Sequence, residues 1–480
     1  LMLENKLKKR FMSILATRWY GTNGYKHLLI VAVPLILSTG SFSIQSFVDR
    51  MFLSWYSTDA LAAAAPTSLL GFAAISFFLG TSSYVGTFVA QYTGARRDDR
   101  VGPAMWQGIY FSMVGGTIVV LTLFLSGPLF NFIGHDPKIV ELEKIYWKYL
   151  AIGGFFPILS GPISAFFSGR GKTYPVMWAS FAATALNIVL NYLLIFGNFG
   201  LPEMGIAGAG LSTILSGLLN LLILAALLFS RLNRQQFNTL SGWQFEKPLF
   251  LRLIKFGMPS GLQFFADMAS FSIFLLIIGR LGAVELAASN VALNISLLAF
   301  MPMIGMGIAV NILVGQSLGA DKPEGANRAT FSGLHIASLY MGTISLLYFL
   351  VPGIFIEPFT LKADVKDFAA IRPHAELALK CVAIWSLFDS IGIIASSALK
   401  GAGDTKFILY AVIIVSIIML IIPTYIGIEI LGWGLKSAWS AGIAYIICLS
   451  LVFALRYRQG KWRSMRVIES TPKTTPIKKI

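Results

Sequence analysis

Val89-Ala90-Gln91-Tyr92-Thr93-Gly94-Ala95 comes back in the second half of the chain as Val314-Gly315-Gln316-Ser317-Leu318-Gly319-Ala320. The same offset carries Pro34 onto Pro259. Gly169-Arg170-Gly171-Lys172-Thr173 returns as Gly401-Ala402-Gly403-Asp404-Thr405, and Gly205-Ile206-Ala207-Gly208-Ala209, more weakly, as Gly434-Leu435-Lys436-Ser437-Ala438. Anchors kept in one order point to an internal duplication, an arrangement that places a binding site between two halves. Paired glycines also allow helices to pack closely, but packing alone does not account for the matched order.

Around these anchors run apolar stretches at 27–54, 61–92, 104–126, 142–167, 174–196 and 206–229, then 251–279, 285–317, 329–352, 375–399, 407–430 and 435–456. Each is long enough as a helix to cross a hydrocarbon layer of about 30 Å. Only 12% of the 480 residues are charged and 56% are hydrophobic, against about 25% charged in a soluble protein. A soluble enzyme is excluded. The predicted fold is an all-α integral membrane protein of twelve transmembrane helices in two six-helix lobes. Six spans per half is an even number, so both halves enter from one side and are related as parallel repeats about an axis along the membrane normal. The expected organisation is a basic N-terminal arm over 1–26, an N-lobe over 27–230, a linker over 231–250, a C-lobe over 251–456 and a basic tail over 457–480.

The net charge of +16 would suggest nucleic acid as a partner of a soluble protein, but in a membrane protein Lys and Arg set orientation. With the N-terminus inside, the inner segments hold Lys6, Lys8, Lys9, Arg10, Arg96, Arg97, Arg100, Arg170, Lys172, Arg231, Arg234, Lys247, Lys322, Arg328, Lys400, Lys406 and the tail from Arg456. The outer loops are poorer: 197–205 has neither Lys nor Arg, and Lys362 and Lys366 are balanced by Asp364 and Asp367. Both termini are therefore expected in the cytoplasm of a multi-pass plasma-membrane protein, a bacterial inner membrane being the natural setting, with membrane lipid and no nucleic acid as partner. The arm reads as an uncleaved segment, not a signal peptide. Cys381 and Cys448 lie in apolar runs and imply no disulfide or thiolate metal site.

An ionisable side chain within a span costs a few kcal/mol on insertion scales, so each one is a functional candidate. Three acids stand out: Asp49 in the first span, Asp267 in the seventh and Asp389 in the tenth. The alternative for each is a structural carboxylate bonded to neighbouring helices, with Arg50 as an ion-pair partner of Asp49 and Lys380 as one of Asp389. Asn187 and Asn191 in span five, and Asn290 and Asn294 in span eight, are four apart and share a helix face. Such amides can offer oxygens to an alkali cation, hydrogen bonds to a substrate, or glue between helices. Thr213 is a weaker candidate of the same kind, and His335 a lone histidine that packing can explain. Pro34 and Pro259 permit kinks.

This pattern resembles the multidrug and toxic compound extrusion (MATE) family, in its NorM-like branch, over about residues 27–456. The anchors above carry the resemblance, together with Asn187-Ile188-Val189-Leu190-Asn191 and Leu399-Lys400-Gly401-Ala402-Gly403-Asp404-Thr405-Lys406. The resemblance implies that Asp49 binds the coupling cation or proton in the N-lobe, supported by Asn187, Asn191 and Thr213. It implies likewise that Asp267 and Asp389 meet in the C-lobe, where they would hold any Na+. Asn191 stands where relatives carry an acid and Trp385 where some carry Tyr; Asn290 falls near an amide that relatives turn toward the cavity. The implied activity is an antiporter that exports small organic cations or drugs in exchange for Na+ or H+, acting as a monomer without a cofactor. Phe264, Phe265, Phe271, Trp385 and Phe388 lie near the acids in sequence and could stack on a flat cation; Phe265, Trp385, Asn290 and Asn294 are the substrate-binding candidates. A lipid-linked oligosaccharide flippase of the same wider superfamily is the alternative, but it would favour Arg and Lys in the cavity, where this chain has acids. No DDxxD, HExxH or GxSxG pattern supports an enzyme.

Overall fold

The computed structural model describes residues 18–133, 135–360 and 365–469. Most of the basic arm, Lys362 and Asp364 of the outer loop, and the end of the tail lie outside the described residues. Among the described residues the elements are helices. Twelve are long and apolar enough to cross a membrane: α1 Tyr25–Tyr56, α2 Thr58–Gly94, α3 Asp98–Phe132, α4 Pro137–Gly169, α5 Tyr174–Phe196, α6 Ile206–Leu228, α7 Lys247–Gly279, α8 Ala283–Gly319, α9 Pro323–Leu350, α10 Ala369–Ala402, α11 Thr405–Ile430 and α12 Leu435–Arg458. Lipid offers backbone groups no hydrogen bonds, and a helix satisfies them within one segment. The outward faces are apolar as that solvent requires, with Leu276, Leu339 and Phe124 among the exposed side chains.

The helices form two lobes of six, and the packing repeats with the sequence. In the first half α1 packs on α5 and reaches across to α8; in the second, α7 packs on α11 and reaches across to α2. Glycines make the crossings possible. A Cβ on Gly80 would stand 2.9 Å from the Cα of Gly261, and one on Gly305 would stand 2.7 Å from the Cα of Ile36. Both are closer than real Cβ contacts, so each crossing is fitted to a residue without a side chain. Pro34 lies buried in α1 and Pro259 in α7, where each removes one backbone donor from its helix.

Two of the sequence anchors, 89–95 with 314–320 and 169–173 with 401–405, meet at one end of the bundle, between the lobes. Gly94 abuts the carbonyl of Gln316, and Gly319 abuts the carbonyl of Gln91. The Gln91 amide donates to the Gly401 carbonyl at 2.9 Å, and the Gln316 amide donates to the Gly169 carbonyl at 2.8 Å. Each contact is the two-fold counterpart of the other. This accounts physically for the repeated Gln and Gly: they form both halves of one symmetric closure.

Other ties between the lobes lie toward the same end, including Thr87 to Asn311 at 3.0 Å and the Tyr84 hydroxyl to the Lys400 carbonyl at 2.8 Å. The ties farthest from it are Thr39 to the Met301 carbonyl at 3.1 Å and the edge-to-face pair Phe72–Phe264 at 5.8 Å. The hydrogen bonds between the lobes concentrate at the Gln91/Gln316 end.

Candidate functional site

Each lobe holds a polar cluster within its spans. In the first, Asp49 of α1 accepts a hydrogen bond from the Asn191 amide of α5, and that amide also donates to Asn187 Oδ1 at 3.0 Å. Asn187 and Asn191 are fully buried. The spacing of four that put them on one face in the sequence puts both against α1. Asp49 takes Asn191 and not Arg50 as its hydrogen-bond partner, and Arg50 is exposed. Asn191 Oδ1 and Asn187 Nδ2 are buried with no protein partner. Unpaired polar atoms of this kind cost about 1–3 kcal/mol each, and an acid, an orphan amide oxygen and a second amide suit a small cation or a water-borne proton. The Thr213 hydroxyl is spent locally, donating to the Ala209 carbonyl at 3.0 Å.

Two residues on α4 escaped the sequence reading. Tyr146 is buried within electrostatic reach of Asp49; a single Tyr beside Trp147 carries no signal that separates it from a packing aromatic. Glu143 is fully buried, accepts from His135 Nδ1 at 2.9 Å and leaves its second oxygen unpartnered. An acid just inside the start of the 142–167 run was the signal that could have found it.

In the second lobe Asp267 of α7 accepts a hydrogen bond from Gln263 one turn earlier, while Gln263 Oε1 is buried without a partner. Asp389 of α10 has no ion pair among the described residues. The two acids lie within electrostatic reach of each other, and both act on Tyr445 of α12. The cation that acts on Asp267 is Lys400, at the end of α10, which the sequence reading had counted among the inner-loop charges. Lys380 is exposed and makes no ion pair with Asp389.

Aromatic rings line this second cluster. Phe271 packs edge-on against Trp385 and against Tyr445, each at 6.3 Å between centroids, and Trp385 packs on Trp439 at 5.3 Å. Trp385 is 5% exposed, whereas Phe265 is 43% exposed. Asn290 and Asn294 are exposed, and the Asn294 amide donates to the Asn290 carbonyl at 2.8 Å. His335 bonds the Tyr25 hydroxyl at 2.8 Å.

The family model described as MatE matches residues 34–193 and again 259–426, one stretch in each half, beginning at the paired prolines. The chain is 26% identical over 441 residues to the probable multidrug resistance protein NorM of Shewanella oneidensis, covering 90% of this chain and 94% of the relative. It is 30% identical over 390 residues to the corresponding protein of Photorhabdus laumondii, covering 80% and 84%. Among solved structures, a multidrug resistance MATE family transporter of the MOP superfamily in an outward-facing conformation superposes with a TM-score of 0.83 at 20% identity, over 93% of this chain and 97% of that one. A MOP superfamily transporter from Pyrococcus furiosus gives 0.84 at 20% identity, over 94% and 99%.

Proposed function

The chain belongs to the MatE family, and we propose that it is a secondary antiporter that exports small organic cations and drugs across the plasma membrane in exchange for Na+ or H+. The observation that carries this reading is a pair of acid clusters, one in each lobe, inside a bundle whose lobe-to-lobe hydrogen bonds concentrate at one end. Neither Asp49 nor Asp267 nor Asp389 has an ion-pair partner within 4.0 Å among the described residues. A carboxylate in a low-dielectric span without such a partner calls for a proton, an alkali cation or a cationic substrate.

On this reading Asp49 binds the coupling ion with Asn187 and Asn191, while Asp267 and Asp389 share a proton or Na+ in the C-lobe. Lys400 lessens the charge that the C-lobe ion must neutralise. Phe265 and Trp385, with Asn290 and Asn294, would face the organic cation. Occupancy by the inward-moving ion and by the outgoing substrate draws on the same acids, so one equilibrium couples the two flows. Each charge moving down the membrane potential supplies about 2.3 kcal/mol per 100 mV. A complete site set lies in one chain, which supports action as a monomer, by transport and not by covalent chemistry.

Orientation follows from charge. Arg96, Arg97, Arg100, Arg170, Lys172, Lys322 and Lys406 belong to the tied end, so the positive-inside rule places that end, and both termini, in the cytoplasm. The opposite end then faces outward. The test is purified protein in liposomes, with ethidium movement followed under an imposed Na+ gradient and then an imposed pH gradient. Export driven by either supports antiport and identifies the ion; no movement under both would refute the reading.

A further inference from the structure

Beyond α12 the chain crosses from one lobe to the other. After a turn at Gly460, Trp462 inserts into the C-lobe side of the core, 1% exposed, stacked on Tyr457 at 4.8 Å and 13°. Its indole N–H donates to the Tyr457 carbonyl at 2.8 Å. Arg466 then pairs with Asp321 of the C-lobe at 2.8 Å. One residue later the contacts change sides. Val467 is 1% exposed within the N-lobe core, and its N–H donates to Gln91 Oε1 at 2.8 Å, the same Gln91 whose amide crosses to Gly401.

Glu469 completes the crossing. Its Oε1 meets Arg97 at 2.6 Å, and its Oε2 accepts from the Tyr92 hydroxyl at 2.8 Å and from Arg252 of α7 at 2.7 Å. Arg100 lies 3.7 Å from Oε1 and is itself held by Glu246 at 2.8 Å. The receptor breaks the two-fold: the repeat pairs Tyr92 with Ser317 and Arg97 with Lys322, so the tyrosine and arginine that meet this carboxylate are departures from the duplicated pattern. The symmetric closure alone does not require them.

We propose that residues 459–469 form a strap that latches the closed cytoplasmic side of the transporter, with the Glu469 carboxylate as its catch, so that releasing Glu469 is a step in turning from the outward-facing to the inward-facing state. The strap is fastened to the C-lobe by Trp462 and Arg466 and to the N-lobe by Val467, and the Glu469 carboxylate bridges the two, meeting Tyr92 and Arg97 of the N-lobe and Arg252 of the C-lobe. The lobes cannot part at this end while both fastenings hold. Glu469 touches neither acid cluster, so it is a positioning residue for the transport cycle. The assignment rests on the alternating-access reading above.

The test uses the full chain with Cys381 and Cys448 replaced by serine and spin labels at exposed Lys172 and Lys406, one on each lobe. The distance distribution is measured in detergent and in liposomes. Glu469→Gln removes the charge without disturbing Trp462 or Val467, and should raise the long-distance, cytoplasm-open population about three- to tenfold, the scale of losing one partly exposed ionic cluster. Glu469→Asp should restore the parental distribution in large part, which a merely structural role for the side chain would not do. An unchanged distribution in Glu469→Gln, or an equal shift in Glu469→Asp, would overturn the latch. Ethidium export by the parent protein is measured alongside and tests antiport separately. Parental export with an unmoved Glu469→Gln distribution would reject the strap and leave the antiporter standing.

Discussion

Replacing Gly94 with alanine would place a methyl group against the main-chain carbonyl of Gln316, well inside contact distance, with the Gln316 Cα also under 3.0 Å away. The obstruction is backbone on a packed helix, so no side chain can swing aside. Overpacking of this kind costs about 1–3 kcal/mol. The contact is between lobes and exists only while this end is closed, so the cost falls on one conformation. A difference of that size shifts the two-state ratio about 5–150-fold toward the open form. Gly319→Ala meets the Gln91 carbonyl in the same way and should behave alike. The control is Gly86→Ala, whose new Cβ would meet Ala165 of the N-lobe in ordinary contact, its Cβ at 3.6 Å and its Cα at 3.9 Å, and should leave the ratio unchanged. The labels at Lys172 and Lys406 read the population, and thermal unfolding in detergent reads stability. An unmoved distance distribution in Gly94→Ala and Gly319→Ala, with or without a lowered Tm, would refute the idea that these glycines form a conformation-specific closure.

Further outcomes follow from the two clusters and the strap. Asp389→Asn should remain folded and inserted but lose gradient-driven ethidium export, whereas Asp49→Asn should be impaired less completely, because Asn187 and Asn191 still offer neutral ligands; parental rates in Asp389→Asn would remove it from the mechanism. Tyr445→Phe keeps the ring against Phe271 and removes the hydroxyl that lies within electrostatic reach of both acids, so the concentration of driving ion for half-maximal export should rise roughly tenfold, and an unchanged value would exclude Tyr445 from the site. The Glu469 carboxyl is pushed up by burial, but backbone and Tyr92 hydrogen bonds and the neighbouring Arg97 outweigh this and hold it below the ordinary glutamate value. A group depressed in the latched state stabilises that state above its free pKa of about 4.3 and loses its effect as pH falls through the lower latched value. Its facing groups are Tyr92, Arg97, Arg100 and Arg252, so the difference between the label distributions of the parent and of Glu469→Gln should hold steady from about pH 8 to about pH 5 and vanish below about pH 4; a difference that vanishes between about pH 8 and about pH 6 would contradict the assignment.

The twelve helices and the duplication were legible because both are written in local pattern. An apolar run long enough to cross lipid is a property of one segment and its solvent. The repeated Gln and Gly of 89–95 and 314–320 kept their order because each performs the same task from its own side of one interface. The three acids were legible for the same reason: the cost of Asp49, Asp267 or Asp389 in a span is set by the lipid, whatever the neighbours are.

Neighbours were what the tertiary structure decided. It gave Asp49 the Asn191 amide in place of Arg50, brought Lys400 within reach of Asp267 while leaving Lys380, the candidate partner of Asp389, exposed, and set Tyr445 within electrostatic reach of both C-lobe acids after Trp385 had left that cluster without a phenol. It buried Glu143 and Tyr146, which read as ordinary residues at the head of a span. Most of all, it carried Glu469 back to Tyr92 and Arg97, far away along the chain. The sequence by itself determined which segments enter lipid, how often the design repeats and which side chains are costly there, since those follow from composition and period along one helix. Which side chains answer one another was decided only by the packing of helices against helices, because an ion pair or hydrogen bond is fixed by distances of a few ångströms that no spacing along the chain encodes.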